Sequence, residues 1–154
     1  MFTRLGQIVS PYKLLLPLCF GVFIAADDQT VVVTLLPDMM ADLTTVALGG
    51  PGKRIKMFEL PTGEPMYNIK KHSDWVMAVS FSPDTVLLAT GDRNGGLHIW
   101  ESFTGNLFYT LNGHRDDITR LSWRLDSNVL ASASEEGSVR IWEMFNGKQV
   151  RSLG

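Results

Sequence analysis

The sequence predicts an all-β fold in which one four-stranded antiparallel unit is repeated three times. A shift of 42 residues superposes the segment 88–100 (LATGDRNGGLHIW) on 130–142 (LASASEEGSVRIW) and, more faintly, on 46–58 (VALGGPGKRIKMF). Within each unit the apolar residues recur with a period close to two, and turn-forming residues interrupt them. That period is typical of strands with one covered face, and a fixed repeat of this length indicates stacked supersecondary units.

Four strands are predicted in the second unit, and residues that favour a turn separate them. The predicted strands are 76–81, 86–90, 97–100 and 107–111. The dipeptides Pro83-Asp84 and Thr104-Gly105 and the run Asn94-Gly95-Gly96 start tight turns or accept a positive φ. Four such strands bury little surface alone, so successive units are expected to stack face to face. The glycines that recur at the hairpin between the third and fourth strands are Gly63, Gly105 and Gly147.

The composition excludes several classes of protein. The chain has 154 residues, a net charge of −2 and 45% apolar residues, which suits one domain with a real core. Its single cysteine excludes an internal disulfide framework, and its three scattered histidines are too few for a zinc site of about four ligands. The basic residues form no run, so nucleic-acid binding is not expected. We expect no metal and no cofactor.

Residues 1–26 differ from the rest of the chain and form a candidate signal peptide or hydrophobic N-terminal segment. Arg4 and Lys13 precede an apolar run, 14–26, that is too short to span a bilayer of about 30 Å but suits a secretory signal cleaved near Ala26. The alternatives are a buried strand of the neighbouring domain and a stray start on a truncated chain. An exported or periplasmic location is therefore favoured over a cytoplasmic one, and the repeats occupy 27–154.

The repeat resembles the WD-repeat β-propellers, whose units of about 40–45 residues carry a Gly-His and a Trp-Asp signature. The Gly-His dipeptide is intact at Gly113-His114 and altered to Lys71-His72. The closing dipeptide is Trp-Glu at residues 100–101 and 142–143. The resemblance is of the bacterial type and extends from about residue 30 to 154. It implies about three propeller blades in an incomplete ring, at about 30–70, 72–112 and 114–154.

The resemblance also implies a hydrogen-bonded set that pins each blade. A histidine before the first strand, a hydroxyl on the second, an acid in the next turn and the third-strand tryptophan satisfy one another, whereas an unpaired buried group costs about 1–3 kcal/mol. Asn94 and Glu136 replace the usual acid, so weaker or water-bridged networks are expected, and the first unit is expected to have none. The matching residues are His72, Thr90, Asn94 and Trp100 in the second unit, His114, Ser132, Glu136 and Trp142 in the third, and Thr30, Leu48, Gly52 and Phe58 in the first.

Ser132, His114 and Glu136 are also the residue types of a nucleophilic catalytic triad. Similar residue classes recur 42 residues earlier in the second unit, which favours a repeated structural device. No G-x-S-x-G motif surrounds Ser132, and no phosphate-binding loop of the form G-x-x-x-x-G-K-[ST] occurs. The sequence therefore predicts a protein that is not an enzyme and has no catalytic residue.

Partner binding is predicted at one rim, where the loop after each histidine lies near the turn between the second and third strands. Trp75 is distinctive because its counterparts in the other units are not aromatic. It is either an exposed anchor or packed against the adjacent loop. Lys56, His98 and Arg140 share a third-strand position and are predicted to form a solvent-exposed ridge. The predicted partner-binding residues are Asp74, Trp75, Arg93, Arg115, Asp116 and Asp117.

Three units do not close a propeller, which needs about 4–8 blades. The sequence leaves three explanations: a fragment of a longer chain, a half-ring that pairs with a second copy, or an open arc. An uncovered blade face is an aggregation liability, so self-association is expected. We therefore expect a non-catalytic scaffold for protein–protein interaction with an unidentified protein partner. The alternative is an accessory propeller segment of a larger exported bacterial enzyme or haem-binding protein.

Overall fold

The structure, a computed structural model, describes residues 22–26, 29–35, 45–59 and 62–154, the first two ranges by their backbone alone. Within these ranges the chain forms thirteen strands in three antiparallel sheets. Strands that are consecutive in sequence are neighbours in each sheet, so every sheet is a meander. No helix in the described ranges has the length and apolar character needed to cross a membrane. The all-β prediction is confirmed.

The first sheet contains five strands, one more than the sequence predicts. They are β1 (Val22–Ala26), β2 (Gln29–Leu35), β3 (Thr45–Gly49), β4 (Ile55–Glu59) and β5 (Pro65–Ile69). The additional strand β1 pairs antiparallel with β2 from Val22↔Val33 to Ala26↔Gln29. A strand here agrees with one alternative for the apolar run, a strand of the neighbouring domain. Cleavage near Ala26 stays a prediction, and residues 1–21 lie outside the described part of the chain.

The second and third sheets are the four-stranded units that the sequence predicts. The second contains β6 (Val76–Phe81), β7 (Leu87–Asp92), β8 (Leu97–Glu101) and β9 (Leu107–Leu111). The third contains β10 (Ile118–Trp123), β11 (Val129–Ser134), β12 (Val139–Glu143) and β13 (Lys148–Leu153). Their registers are equivalent, because Thr90 pairs with His98 as Ser132 pairs with Arg140. The three sheets are called blades 1, 2 and 3 below.

A glycine with a positive φ lies in the hairpin between the third and fourth strands of each blade. Gly63, Gly105 and Gly147 have φ of 73°, 73° and 66°. A Cβ at Gly105 would lie 2.6 Å from the ring of Tyr67, and one at Gly147 would lie 2.8 Å from the ring of Tyr109. Glycine therefore allows both the turn and the close approach of an aromatic ring from the preceding blade.

Apolar clusters between the blades form the core. Blade 1 presents four side chains to blade 2, and none of them is more than 4% exposed: Ala47, Ile55, Met57 and Ile69. Val76 and Trp100 of blade 2 belong to the same cluster. Blade 2 presents the residues at the same repeat positions to blade 3, all at most 2% exposed: Ala89, Leu97, Ile99 and Leu111. Burial of each large side chain is worth about 1.5–3 kcal/mol, so this stacking is a major source of stability.

No described residue covers the same face of blade 3 in this way. Its residues at the matching positions are Ala131, Val139, Ile141 and Leu153. The first three are partly exposed, and Leu153 is 52% exposed. The described blades therefore form an incomplete ring, as the sequence predicts.

Candidate functional site

A buried hydrogen-bond network ties the loop before blade 2 to its second and third strands. His72 contacts Asp92 Oδ2 through Nδ1 at 2.9 Å and Thr90 Oγ1 through Nε2 at 2.8 Å. The indole N–H of Trp100 donates to the same Thr90 oxygen at 2.8 Å. Because an ionised carboxylate only accepts, His72 Nδ1 carries the proton, and the Thr90 hydroxyl donates to Nε2. All four side chains are buried.

Blade 3 contains the same arrangement with different residues. His114 contacts Glu136 Oε1 through Nδ1 at 2.7 Å and Ser132 Oγ through Nε2 at 2.7 Å. The indole N–H of Trp142 donates to Ser132 Oγ at 2.8 Å. The structure thus brings together the four residues that the resemblance implies for this blade.

The acid of the blade 2 network is Asp92, and the prediction of Asn94 is wrong. Asp92 ends β7, and its second oxygen accepts from the backbone N–H of Asn94 at 3.0 Å and of Gly96 at 2.7 Å. The Asn94 side chain instead donates to Ser73 Oγ at 3.3 Å. In blade 3 the position of Asp92 is taken by Ser134, so the longer Glu136 side chain supplies the carboxylate from the turn.

The contacts of the two network histidines are direct, at 2.7–2.9 Å, so the expectation of water-bridged networks is wrong. Burial raises the pKa of Asp92, but hydrogen bonds from His72 and from the N–H groups of Gly96 and Asn94 outweigh it and hold that pKa below its usual value. Hydrogen bonds from Ser138 and His114 lower the pKa of Glu136 to about 2. Both carboxylates are therefore anionic at neutral pH.

Blade 1 lacks this set among its described side chains. Leu48 and Phe58 stand where the hydroxyl and the tryptophan lie in the other blades, and Gly50 and Gly52 stand at the positions of Asp92 and Glu136. Thr30, at the histidine position, belongs to a strand described by its backbone alone. Blade 1 therefore depends on the apolar cluster that it shares with blade 2.

The blade 3 network has the distances of a catalytic triad without its accessibility. Ser132 Oγ lies 2.7 Å from an imidazole whose other nitrogen contacts a carboxylate. The serine is 0% exposed, and Trp142 already donates to its oxygen. A nucleophile must reach a substrate carbonyl, which a buried hydroxyl does not. The geometry therefore supports a structural role, in which buried polar groups form hydrogen bonds with one another.

Three of the predicted partner-binding residues meet at the rim of blades 2 and 3. Trp75 is 43% exposed, and the Arg93 guanidinium lies 5.4 Å from the centre of its ring. Arg93 Nε lies 3.6 Å from Asp117 Oδ2, next to blade 3. The backbone N–H of Arg93 also donates to the Trp75 carbonyl at 2.9 Å. Trp75 is therefore both exposed and packed on Arg93, and Trp75, Arg93 and Asp117 are called the Trp75 cluster below.

The other three predicted rim residues shape the loops around this cluster. Asp74 accepts a hydrogen bond from the backbone N–H of Trp75 at 2.8 Å, and Asp116 accepts one from that of Asp117 at 2.9 Å. Arg115 donates its backbone N–H to Glu136 Oε2 at 3.0 Å. The loop after His114 is thereby hydrogen-bonded to the network of blade 3.

His98 is buried, so the prediction that it belongs to a solvent-exposed ridge is wrong. It pairs with Thr90 across neighbouring strands, and paired residues point to the same face of a sheet. His72 covers that face, and the two imidazole centres lie 4.9 Å apart. At the matching positions Lys56 is exposed and Arg140 is half-buried.

These stacked meanders, two of which contain a histidine–tryptophan network, define a class of protein built from β-propeller blades. The family model described as "WD domain, G-beta repeat" matches residues 63–101 and 105–143. These matches cover half of the chain, and the chain belongs to the WD-repeat family.

Solved structures share the fold. The one described as "Crystal structure of RRP9 WD40 repeats" aligns with a TM-score of 0.70 and 24% identity over 86% of this chain. The one described as "Structure of U3-55K" aligns with a TM-score of 0.68 and 25% identity over 79% of it. The chain covers 43% and 42% of the lengths of those two chains. A search of curated protein sequences found no significant match.

Replacing Ser132 with Ala removes the oxygen that His114 and Trp142 share. Two buried groups then lose a partner, at about 1–3 kcal/mol each, so the free energy of unfolding should fall by at least about 2 kcal/mol. The control Ser122→Ala, at an exposed position of the same blade, should change it by less than about 0.5 kcal/mol. Urea unfolding followed by circular dichroism measures both, and an unchanged stability of Ser132→Ala would contradict the structural role.

Proposed function

We propose that the chain is a non-catalytic scaffold that binds a protein partner through the rim of blades 2 and 3. The Trp75 cluster carries this proposal, because it presents a half-exposed tryptophan that packs on Arg93, and Arg93 in turn pairs with Asp117. Tryptophan and arginine are enriched among the residues that dominate binding energy in protein interfaces. A side chain that is ordered before binding loses less freedom when a partner contacts it.

The position of the Trp75 cluster supports a surface larger than one loop. In a meander, alternate connections lie at the same end of the strands. The connections that share this rim are 70–75, 93–96, 112–117 and 135–138. Lys53 Nζ donates to the Ser73 carbonyl at 2.8 Å and links blade 1 to the loop before blade 2. The ion pair of Arg93 with Asp117 links blade 2 to blade 3. A partner seated on Trp75 therefore lies beside residues of all three blades.

The buried networks support a non-catalytic role. The hydroxyls of Thr90 and Ser132 are both 0% exposed, and each accepts a hydrogen bond from a tryptophan. The same device in two neighbouring blades suits a structural purpose, whereas one active site needs only one copy.

The sequence also suggested an accessory segment of a larger exported bacterial enzyme or haem-binding protein. The comparisons bear on neither export nor haem, so that alternative, the bacterial type and the signal peptide stay predictions. The Trp75 cluster favours the scaffold, because a fixed aromatic side chain at a rim suits a protein surface.

Replacing Trp75 with Ala should remove the anchor of the interface without unfolding blade 2, because the side chain is half-exposed. Truncation of such a residue typically costs 2 kcal/mol or more, which corresponds to a loss of affinity of more than about tenfold. The matched control is Phe103→Ala, which removes a 61% exposed aromatic ring from the opposite rim. Quantitative affinity capture from the native source compares the proteins retained by the three chains. Equal capture by all three would contradict the proposed surface, as would a loss confined to Phe103→Ala.

The uncovered face of blade 3 supports a second interaction, in which the isolated chain pairs with another copy of itself. Residues at the same repeat positions of blades 1 and 2 are at most 4% exposed, because a following blade covers them. Val139 and Ile141 are apolar like their covered counterparts, and they are partly exposed. A second copy offers blade surfaces of the same kind to cover this face.

Replacing Val139 with Glu places a charge in this face and should prevent pairing, because the charge would lose its water on burial. Sedimentation velocity over a range of concentrations should show association of the unaltered chain and a monomer for Val139→Glu. The control Leu125→Glu, at a side chain that is 92% exposed, should associate like the unaltered chain. An unaltered chain that stays monomeric would contradict the pairing.

A further inference from the structure

Blade 2 differs from its neighbours at the third-strand position that faces the network. Blade 1 has Lys56 and blade 3 has Arg140 at this position, whereas blade 2 has His98. His98 is 8% exposed and lies beside His72. Blade 2 therefore combines two imidazoles and a carboxylate in one buried cluster.

The donor atoms of this cluster are close enough to share one metal ion. A ring nitrogen of His72, a ring nitrogen of His98 and a carboxylate oxygen of Asp92 all lie within 4.8 Å of one another. Zinc binds imidazole nitrogen and carboxylate oxygen at about 2.0–2.2 Å, which places tetrahedral donors about 3.4 Å apart. Binding would draw the three atoms together to that spacing. Three protein ligands leave the fourth position for water, as in many zinc sites.

His98 is well prepared to act as a ligand. Burial, with the nearby His72, lowers the pKa of His98 to about 4, so the ring is neutral and keeps a free lone pair at neutral pH. Its Nδ1 lies 3.2 Å from Thr110 Oγ1. A hydrogen bond from one ring nitrogen to a neighbouring oxygen orients most metal-binding histidines, and here it leaves Nε2 to bind the ion.

We propose that His72, Asp92 and His98 form a zinc-binding site beneath the rim of blade 2. His72 binds the ion through Nδ1, which gives up its hydrogen bond to Asp92, and the proton moves to Nε2. His72 Nε2 then donates to Thr90 Oγ1, and the Thr90 hydroxyl turns toward the His98 carbonyl, which lies 3.4 Å away. The hydrogen bond from Trp100 to Thr90 is kept, so the blade stays pinned in both states.

The proposed site differs from the expectation, made from the sequence, that the chain binds no metal. That expectation counted histidines along the sequence, in which His72 and His98 are far apart and Asp92 was not considered. Blade 3 does not offer an equivalent site, because Arg140 Nη2 lies 3.4 Å from Glu136 Oε1 and supplies a fixed positive charge there. A dication beside that guanidinium would be repelled.

The test is a titration of the full chain carrying Cys19→Ser, which removes its one thiol, with ZnCl₂. Calorimetry should show one zinc bound per chain. NMR of the imidazole rings should show shifts for His72 and His98 and none for His114, and only these three histidines need assignment. A folded chain that binds no zinc, or a shift confined to His114, would overturn the proposal.

A variant that copies the residue of blade 3 distinguishes the loss of a zinc ligand from a loss of folding. His98→Arg places in blade 2 the residue that blade 3 carries at the same position, so the sheet should fold, and zinc affinity should fall at least about tenfold. The control Lys56→Arg puts the same group at the same position of blade 1 and should leave zinc affinity unchanged. Circular dichroism confirms folding of each variant. Zinc binding by folded His98→Arg at the original affinity would overturn the assignment of His98.

Discussion

The apolar contact between successive blades is the constraint on which the rest of this structure depends. A four-stranded meander has one face that only another blade covers, so the positions of Ile55 and Leu97 recur with an apolar residue in every unit. The hydrogen-bond networks lie at the edge of this core, where the loop that carries each histidine enters the next blade. Stacking therefore keeps water away from groups that are satisfied only by one another, and the networks in turn fix the loops that form the rim.

Neighbouring blades have the same shape and different chemistry. In blade 2 the carboxylate that contacts the histidine belongs to Asp92, at the end of a strand. In blade 3 it belongs to Glu136 in the following turn, and the longer glutamate side chain reaches the histidine from there. One further position decides what surrounds the network: an arginine completes an ion pair in blade 3, and His98 creates a cluster of donors in blade 2. Blade 2 thus holds both the exposed tryptophan at the rim and the metal-binding side chains beneath it.

The sequence predicted the sheets well because their determinants are local. A period near two, turn residues and a repeat of fixed length define strands without knowledge of distant contacts. The errors occur where the outcome depends on which side chains contact one another in the folded structure. An alignment without gaps places Asn94 at the position of Glu136 and takes no account of side-chain length. It therefore predicted Asn94 for the blade 2 network, in which the structure has Asp92. The alternation of side chains along a strand predicts the face of the sheet on which His98 lies. It does not reveal that His72 covers that face. The exposure of Trp75 likewise depends on how two loops from neighbouring blades meet.

The most direct test of the account compares one repeat position in two blades. Ile99 is 0% exposed beneath blade 3, whereas Ile141, 42 residues later, lies on the uncovered face. At a concentration where the chain is monomeric, chemical denaturation should show that Ile99→Ala lowers the free energy of unfolding by about 2–5 kcal/mol. Ile141→Ala should lower it by less than about 1 kcal/mol. Equal losses for the two variants would contradict the claim that each blade is stabilised by the one that covers it.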